Sequence, residues 1–176
     1  IINPRKNQMA LIESAPAIKA AFPECRFVFP GKIDDPRYFG HLRHRTGELG
    51  LTTSVDFPGH LPSEQLFGLY RDATVFVFPT LQESHGKVLI EAMAFGLPVI
   101  ASRIGPISDV VRLDEGSAVL VDPSDPEAIA RETVRLLGDA SLRTAMSATA
   151  KKLAHSRFSW SRVAQDMLEA YEAMSG

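Results

Sequence analysis

Apolar residues along this chain fall into two alternating patterns. The first is a short apolar run closed by proline or glycine, at residues 26–29 (then Pro30-Gly31), 54–57 (then Pro58-Gly59), 75–78 (then Pro79), 99–101 and 118–121. Runs of this length bounded by turn residues predict buried strands. The second is a longer stretch with apolar residues at helical spacing. Residues 5–21 place Met9, Ile12 and Ala15 on one face, with Pro16 expected to kink the helix. Residues 36–49 predict a polar helix, and Pro62-Ser63-Glu64 opens another with Leu66, Phe67 and Tyr70 on one face. A nearly all-apolar helix follows Gly86, and a short one covers residues 106–112. Asp125 precedes Pro126 at a helix start; Ile129, Thr133, Leu136 and Leu137 make its core stripe, and Gly138 fits its stop. Further helices are predicted over 140–154 and 159–174, the last with Trp160, Val163, Met167, Tyr171 and Met174 in register.

Strands alternating with helices predict an α/β fold, a Rossmann-like parallel sheet with helices on both faces. Residues 1–158 form the expected domain, and 159–176 an appended C-terminal helix. The length of 176 residues fits one such domain. A net charge of −2 gives no electrostatic case for nucleic acid. Cys25 is the single cysteine, so a cysteine-rich metal site and an intrachain disulfide are excluded, and the thiol is expected to be plain packing. No apolar run is long enough to cross a bilayer. The expected location is the cytoplasm, with peripheral contact at the inner membrane face left to the intact protein. Asp34-Asp35 is expected to be a solvated loop rather than a metal site, and His41, His44 and His155 fall on polar or exposed faces.

One stretch carries chemistry. In residues 76–98, FVFPTLQESHGKVLIEAMAFGLP, a strand leads through a polar loop and Gly86 into a helix whose interior holds one charge, Glu91. A buried carboxylate costs several kcal/mol unless something pairs with it, at about that magnitude. With a helix start near Gly86, Glu91 lies about 7 Å along it at roughly 1.5 Å per residue. Glu83 stands just before the helix, with seven residues between it and Glu91. Both carboxylates are expected to edge one pocket, with the amides of Gly86, Lys87 and Val88 between them, an arrangement suited to phosphate.

This stretch resembles the E-x7-E motif of retaining GT-B glycosyltransferases, chiefly family 4, and EAMAFGLPVIAS resembles the same family's continuation. The resemblance covers nearly the whole chain and implies the C-terminal, donor-binding half of such an enzyme. It implies a nucleotide-diphosphate sugar as substrate, no metal or other cofactor in the chemistry, and an acceptor held by an N-terminal domain. By that resemblance Glu91 holds the ribose, and Glu83 meets the transferred sugar or stabilises charge at the anomeric centre. Gly86, Lys87 and Val88 meet the distal phosphate, and Gly59, His60 and Leu61 offer backbone to the nucleobase. Asn3-Pro4-Arg5-Lys6-Asn7 resembles the end of the family's G-R-x-x-x-x-K-G loop, with Lys6 at the position of the diphosphate-binding lysine and Arg5 a weaker substitute for an arginine further upstream. Ser84, His85 and Lys87 depart from the usual E-G-F-G-x and leave the donor sugar open.

The chain opens on Ile1 rather than methionine. Its alignment with the family implies that most of the first, central strand precedes it, so the isolated piece is expected to be marginally stable and to bind without turnover. Two alternatives remain at this stage: a non-catalytic nucleotide-sugar-binding module, and a GT-B-fold epimerase or phosphorylase.

Overall fold

A computed structural model describes residues 1–111, 116–159 and 162. The parallel α/β plan is present: β1 (Phe27–Pro30), β2 (Val55–Gly59), β3 (Phe76–Phe78), β4 (Val99–Ser102) and β5 (Val119–Val121) alternate with helices. The helices are α1 (Gln8–Ala21), α2 (Pro36–Glu48), α3 (Ser63–Asp72), α4 (Lys87–Ala94), α5 (Gly105–Val111), α6 (Pro126–Gly138) and α7 (Ala140–Phe158). The C-terminal helix expected over 159–174, with Trp160 and its stripe, lies outside the described residues.

The strands form two sheets rather than one. β1 pairs with β2, and β3-β4-β5 form a second sheet, all parallel. Residues 1–5 run between the two. On one side Ile2 bridges Ile33 and donates to the Lys32 carbonyl at 2.8 Å. On the other, the Arg5 carbonyl accepts from the Leu81 amide at 2.8 Å and the Thr80 hydroxyl at 2.9 Å. The N-terminal segment is thus hydrogen-bonded both to the end of the β1 loop and to the loop after β3.

Strand alternation sorts the core onto two faces, as the period of two requires. Val99 and Ala101 of β4 pack with Leu89, Met93, Ile107, Ala150 and Leu153 of α4, α5 and α7. Ile100, between them, faces Ala10, Ile129 and Leu136 of α1 and α6. Phe27 and Phe29 of β1 point into a third cluster with Ile12, Ile18 and Leu42, whereas Val28 is exposed.

Local chemistry sets the helix ends. Asp35 and Asp125 each precede a proline at the first helical position and accept the amide three residues on, from Tyr38 and Ala128 at 2.9 Å. Asp139 caps α7 in the same way through Leu142. Such caps stabilise a helix by about 1 kcal/mol. The helix expected over residues 5–21 is divided. Pro4–Lys6 form a single 3-10 turn, Asn7 takes a left-handed conformation at φ 53°, and α1 begins at Gln8 and continues through Pro16. Asparagine tolerates that region better than most residues with a Cβ, and its side-chain amide donates to the Pro123 carbonyl at 2.8 Å.

Candidate functional site

Parallel strands bring every strand-to-helix loop to one edge of the sheets, the edge where ligands gather in open α/β folds. Gly31, Gly59 and the loop from Pro79 to Gly86 all lie at these strand ends. The loop after β3 is fastened by Leu81 and Thr80 to Arg5, which places the 3-10 turn beside it. That juxtaposition lets Lys6 reach Glu83 across 77 positions of sequence: the ammonium donates to Oε2 at 2.5 Å. The ammonium also lies 5.3 Å from the centre of the Phe78 ring, a cation–π distance.

The second oxygen of Glu83 is held by the backbone. Oε1 accepts from the Ser84 amide at 2.9 Å and, at the limit of hydrogen bonding, from the His85 amide at 3.5 Å. Partial burial pushes the carboxyl's pKa up. The Lys6 hydrogen bond, the Ser84 amide and the Lys6 charge outweigh it and bring the group down to about 2. Glu83 is therefore an ionised, oriented carboxylate across the physiological range.

α4 starts directly behind this pair. Gly86 adopts φ 64° and caps nothing with a side chain. The first bonds inside the helix run from Leu89 and Ile90 to the Gly86 carbonyl, at 2.9 and 3.1 Å. The earlier amides, Gly86, Lys87 and Val88, have no acceptor among the described residues. Among the other helices α3 likewise has no side-chain cap, at Pro62, but four starts differ. α2, α6 and α7 carry aspartate caps, and at α1 the Tyr38 hydroxyl accepts from the Met9 amide at 3.0 Å. An uncapped helix N-terminus next to a lysine is a ready anion site.

Glu91 has a partner of its own, separate from the Lys6–Glu83 pair. It is turned toward α3, where the Tyr70 hydroxyl donates to its Oε2 at 3.2 Å. Burial first, then the Glu91 charge and the hydrogen bond itself, raise the Tyr70 pKa, so the phenol stays a donor. The partner that a half-buried glutamate demands is thus a tyrosine from the preceding helix, which sequence spacing placed on an apolar face without revealing its hydroxyl's partner.

The remaining expected residues divide. Ser84, His85 and Lys87 line a groove of about 540 Å³ with Ile90, Pro106, Asp109, Val110 and Phe158. Arg5 lines a different groove, of about 580 Å³, with Asn3, Asp34, Asp35 and Arg37. Gly59 closes β2 at φ 76° and accepts from the Gly31 amide at 2.7 Å, with His60 exposed and Leu61 partly buried after it. Among the described residues no hydrogen bond joins Gly59, His60 or Leu61 to the Lys6–Glu83 pair. Asp34 accepts from the Asn3 side chain and Asp35 caps α2, so both have structural partners. No cluster of histidine, cysteine and carboxylate suited to a metal occurs among the described residues. Burial raises the Cys25 thiol's pKa, with the Lys19 charge acting weakly against it, which keeps the thiol protonated and fits packing. No described helix is long and apolar enough to cross a membrane.

Known proteins share both sequence and fold with this chain. Residues 2–153 match the family described as glycosyl transferases group 1. The D-inositol 3-phosphate glycosyltransferase of Salinispora tropica is 41% identical over 131 residues, 74% of this chain and 27% of that protein. The Anabaena protein HepE, solved with UDP and glucose, superposes with a TM-score of 0.85 at 22% identity over 98% of this chain and 46% of its own. The C-terminal domain of a group 1 glycosyl transferase from Francisella tularensis superposes with a TM-score of 0.81 at 24% identity, covering 90% of this chain and 83% of that domain. The chain spans less than half the length of the curated relatives it matches. The fold, Rossmann-like with helices on both faces, is the one these GT-B glycosyltransferases share. By the match over residues 2–153 and the identity to its curated relatives, this chain belongs to the glycosyl transferases of group 1.

Proposed function

We propose that this chain is the donor-binding half of a retaining, family 4 glycosyltransferase, taking a nucleotide-diphosphate sugar at the carboxyl edge of its strands. The observation that carries the reading is the Lys6–Glu83 pair set against the free amides at the start of α4. The site offers one cation and three unpartnered amides to a diphosphate, and one ionised carboxylate to the sugar attached to it. UDP and glucose bound to the similar Anabaena protein are ligands of the class this requires.

In this reading the bond from the anomeric carbon to the distal phosphate oxygen breaks and its electron pair leaves with the phosphate, while an acceptor hydroxyl oxygen bonds the anomeric carbon and gives its proton to the departing phosphate. The Lys6 ammonium and the amides of Gly86, Lys87 and Val88 stabilise that developing charge, so the neutralisation is assigned to protein groups rather than to a metal ion. Glu83, fixed by Lys6 and the Ser84 amide, meets the sugar, and its negative charge stabilises positive charge at the anomeric centre. Glu91 takes the ribose hydroxyls, and the backbone after Gly59 takes the base. Ser84 and His85 border the sugar and bear on its identity. The acceptor is held by an N-terminal domain, in the cytoplasm or at the inner membrane face, and residues 1–176 alone bind donor without turning it over.

Calorimetry on the full-length enzyme separates the two glutamates. Glu91→Ala is expected to weaken both the free nucleoside diphosphate and the sugar nucleotide. Glu83→Ala is expected to spare the free nucleotide and lower turnover. Equal loss of nucleotide affinity in the two variants would reject these roles.

A further inference from the structure

The function above gives Glu91 the ribose, but a glutamate one turn inside a helix has several rotamers, and only some present both oxygens to a vicinal diol. Something must select among them before the nucleotide arrives. Tyr70 does this by position. It is the one buried residue of α3, and its ring is 6% exposed. The ring stacks on Phe95 at 5.4 Å between centroids and meets Phe76 edge-on at 6.0 Å, while Ala92 and Leu97 complete the same cluster. A tyrosine held on both sides has little freedom at χ1 and χ2, so its hydroxyl is a fixed point. That fixed donor meets Glu91 Oε2 at 3.2 Å. Oε1 accepts nothing among the described residues.

We propose that Tyr70 is a positioning residue for ribose recognition, holding the Glu91 carboxylate in the rotamer that accepts the sugar's hydroxyls. The inference rests on the ribose role of Glu91. A carboxylate oxygen has two lone pairs, so Oε2 accepts both the phenol and a ribose hydroxyl while Oε1 takes the other. The phenol also keeps a half-buried charge paired in the unliganded protein, so no partner is lost when nucleotide binds or leaves.

The test uses Tyr70→Phe in the full-length protein, a change that keeps the ring and its aromatic contacts. UDP, GDP, ADP and CDP are titrated by calorimetry, and the tightest binder is compared with its 2′,3′-dideoxy counterpart, which lacks the diol. Tyr70→Phe is expected to weaken the ribonucleotide about tenfold while changing the dideoxy form by less than about twofold, the scale of one hydrogen bond to a charged group. On a Glu91→Ala background the same substitution is expected to change neither. Loss of affinity for both forms alike would make Tyr70 a packing residue, and no loss for either would make its bond incidental. Both results overturn the proposal. A Glu91→Ala protein that still prefers the ribonucleotide over its dideoxy form would overturn the ribose reading beneath it, as would a wild type that binds none of the diphosphates.

Discussion

At the scale of single residues, the Lys6–Glu83 pair ties ionisation to ligand chemistry. The Glu83 pKa falls from an ordinary 4.5 to about 2, against the upward push of burial. A folded-state pKa below the unfolded one means that the stabilisation is fully present above the ordinary carboxylate value and is lost as pH falls through the interval from about 4.5 to about 2. Lys6→Met should raise the Glu83 midpoint above 2, because burial is then opposed by the Ser84 and His85 amides alone. The carboxyl carbon's chemical shift, followed by NMR titration, reads this directly. The same variant should lose affinity for a nucleoside diphosphate and keep it for the nucleoside. A midpoint that stays near 2 would show that the two amides, not the lysine, hold the carboxylate.

At the scale of elements, the strand and helix order was legible because each run ends in its own punctuation: Pro30-Gly31 after β1, Pro58-Gly59 at the end of β2, Pro79 after β3. What the sequence did not show were features set by packing between elements. The break at Asn7 is one left-handed residue, too short to disturb an apolar periodicity. The Tyr70–Glu91 bond depends on how α3 lies against α4, and the Lys6–Glu83 pair on how residues 1–5 are fastened to the loop after β3. The start of α4, by contrast, was readable from Gly86 itself. Its φ of 64° is in the region glycine occupies without penalty, and a Cβ there would meet Ile107 Cδ1 at 3.0 Å. Gly86→Ala should therefore cost about 1–2 kcal/mol of stability from the left-handed backbone alone. It should also lower affinity for the diphosphate, since the strained turn carries the amides that would meet it. Thermal unfolding and nucleotide titration measure the two effects. An alanine variant that matches wild type in both would show that the turn has another route to the same shape.

At the scale of the whole molecule, the sheet is divided, yet the helices are not. α1 and α6 each contribute to two clusters. Ile12 and Ile18 pack with Phe27 and Phe29 under β1–β2, and Ala10 of the same helix joins Ile100 under β4. In α6, Ala130 packs toward the first of these, and Ile129 and Leu136 toward the second. Backbone hydrogen bonds through residues 1–5 add a second connection, from Lys32 to Leu81. Two sheets linked by shared helices and a common central segment should unfold together. Leu136→Ala tests this, because the side chain is fully buried in the cluster beneath β4 and β5. A cavity there should cost about 2–5 kcal/mol. If the molecule is one cooperative unit, the loss appears as a single transition at lower temperature, and amide exchange slows or quickens together in β1 and β4. Two transitions, with only the β3-β4-β5 half moved, would mean that the helices transmit little across the divide and that residues 1–5 join two separately stable halves.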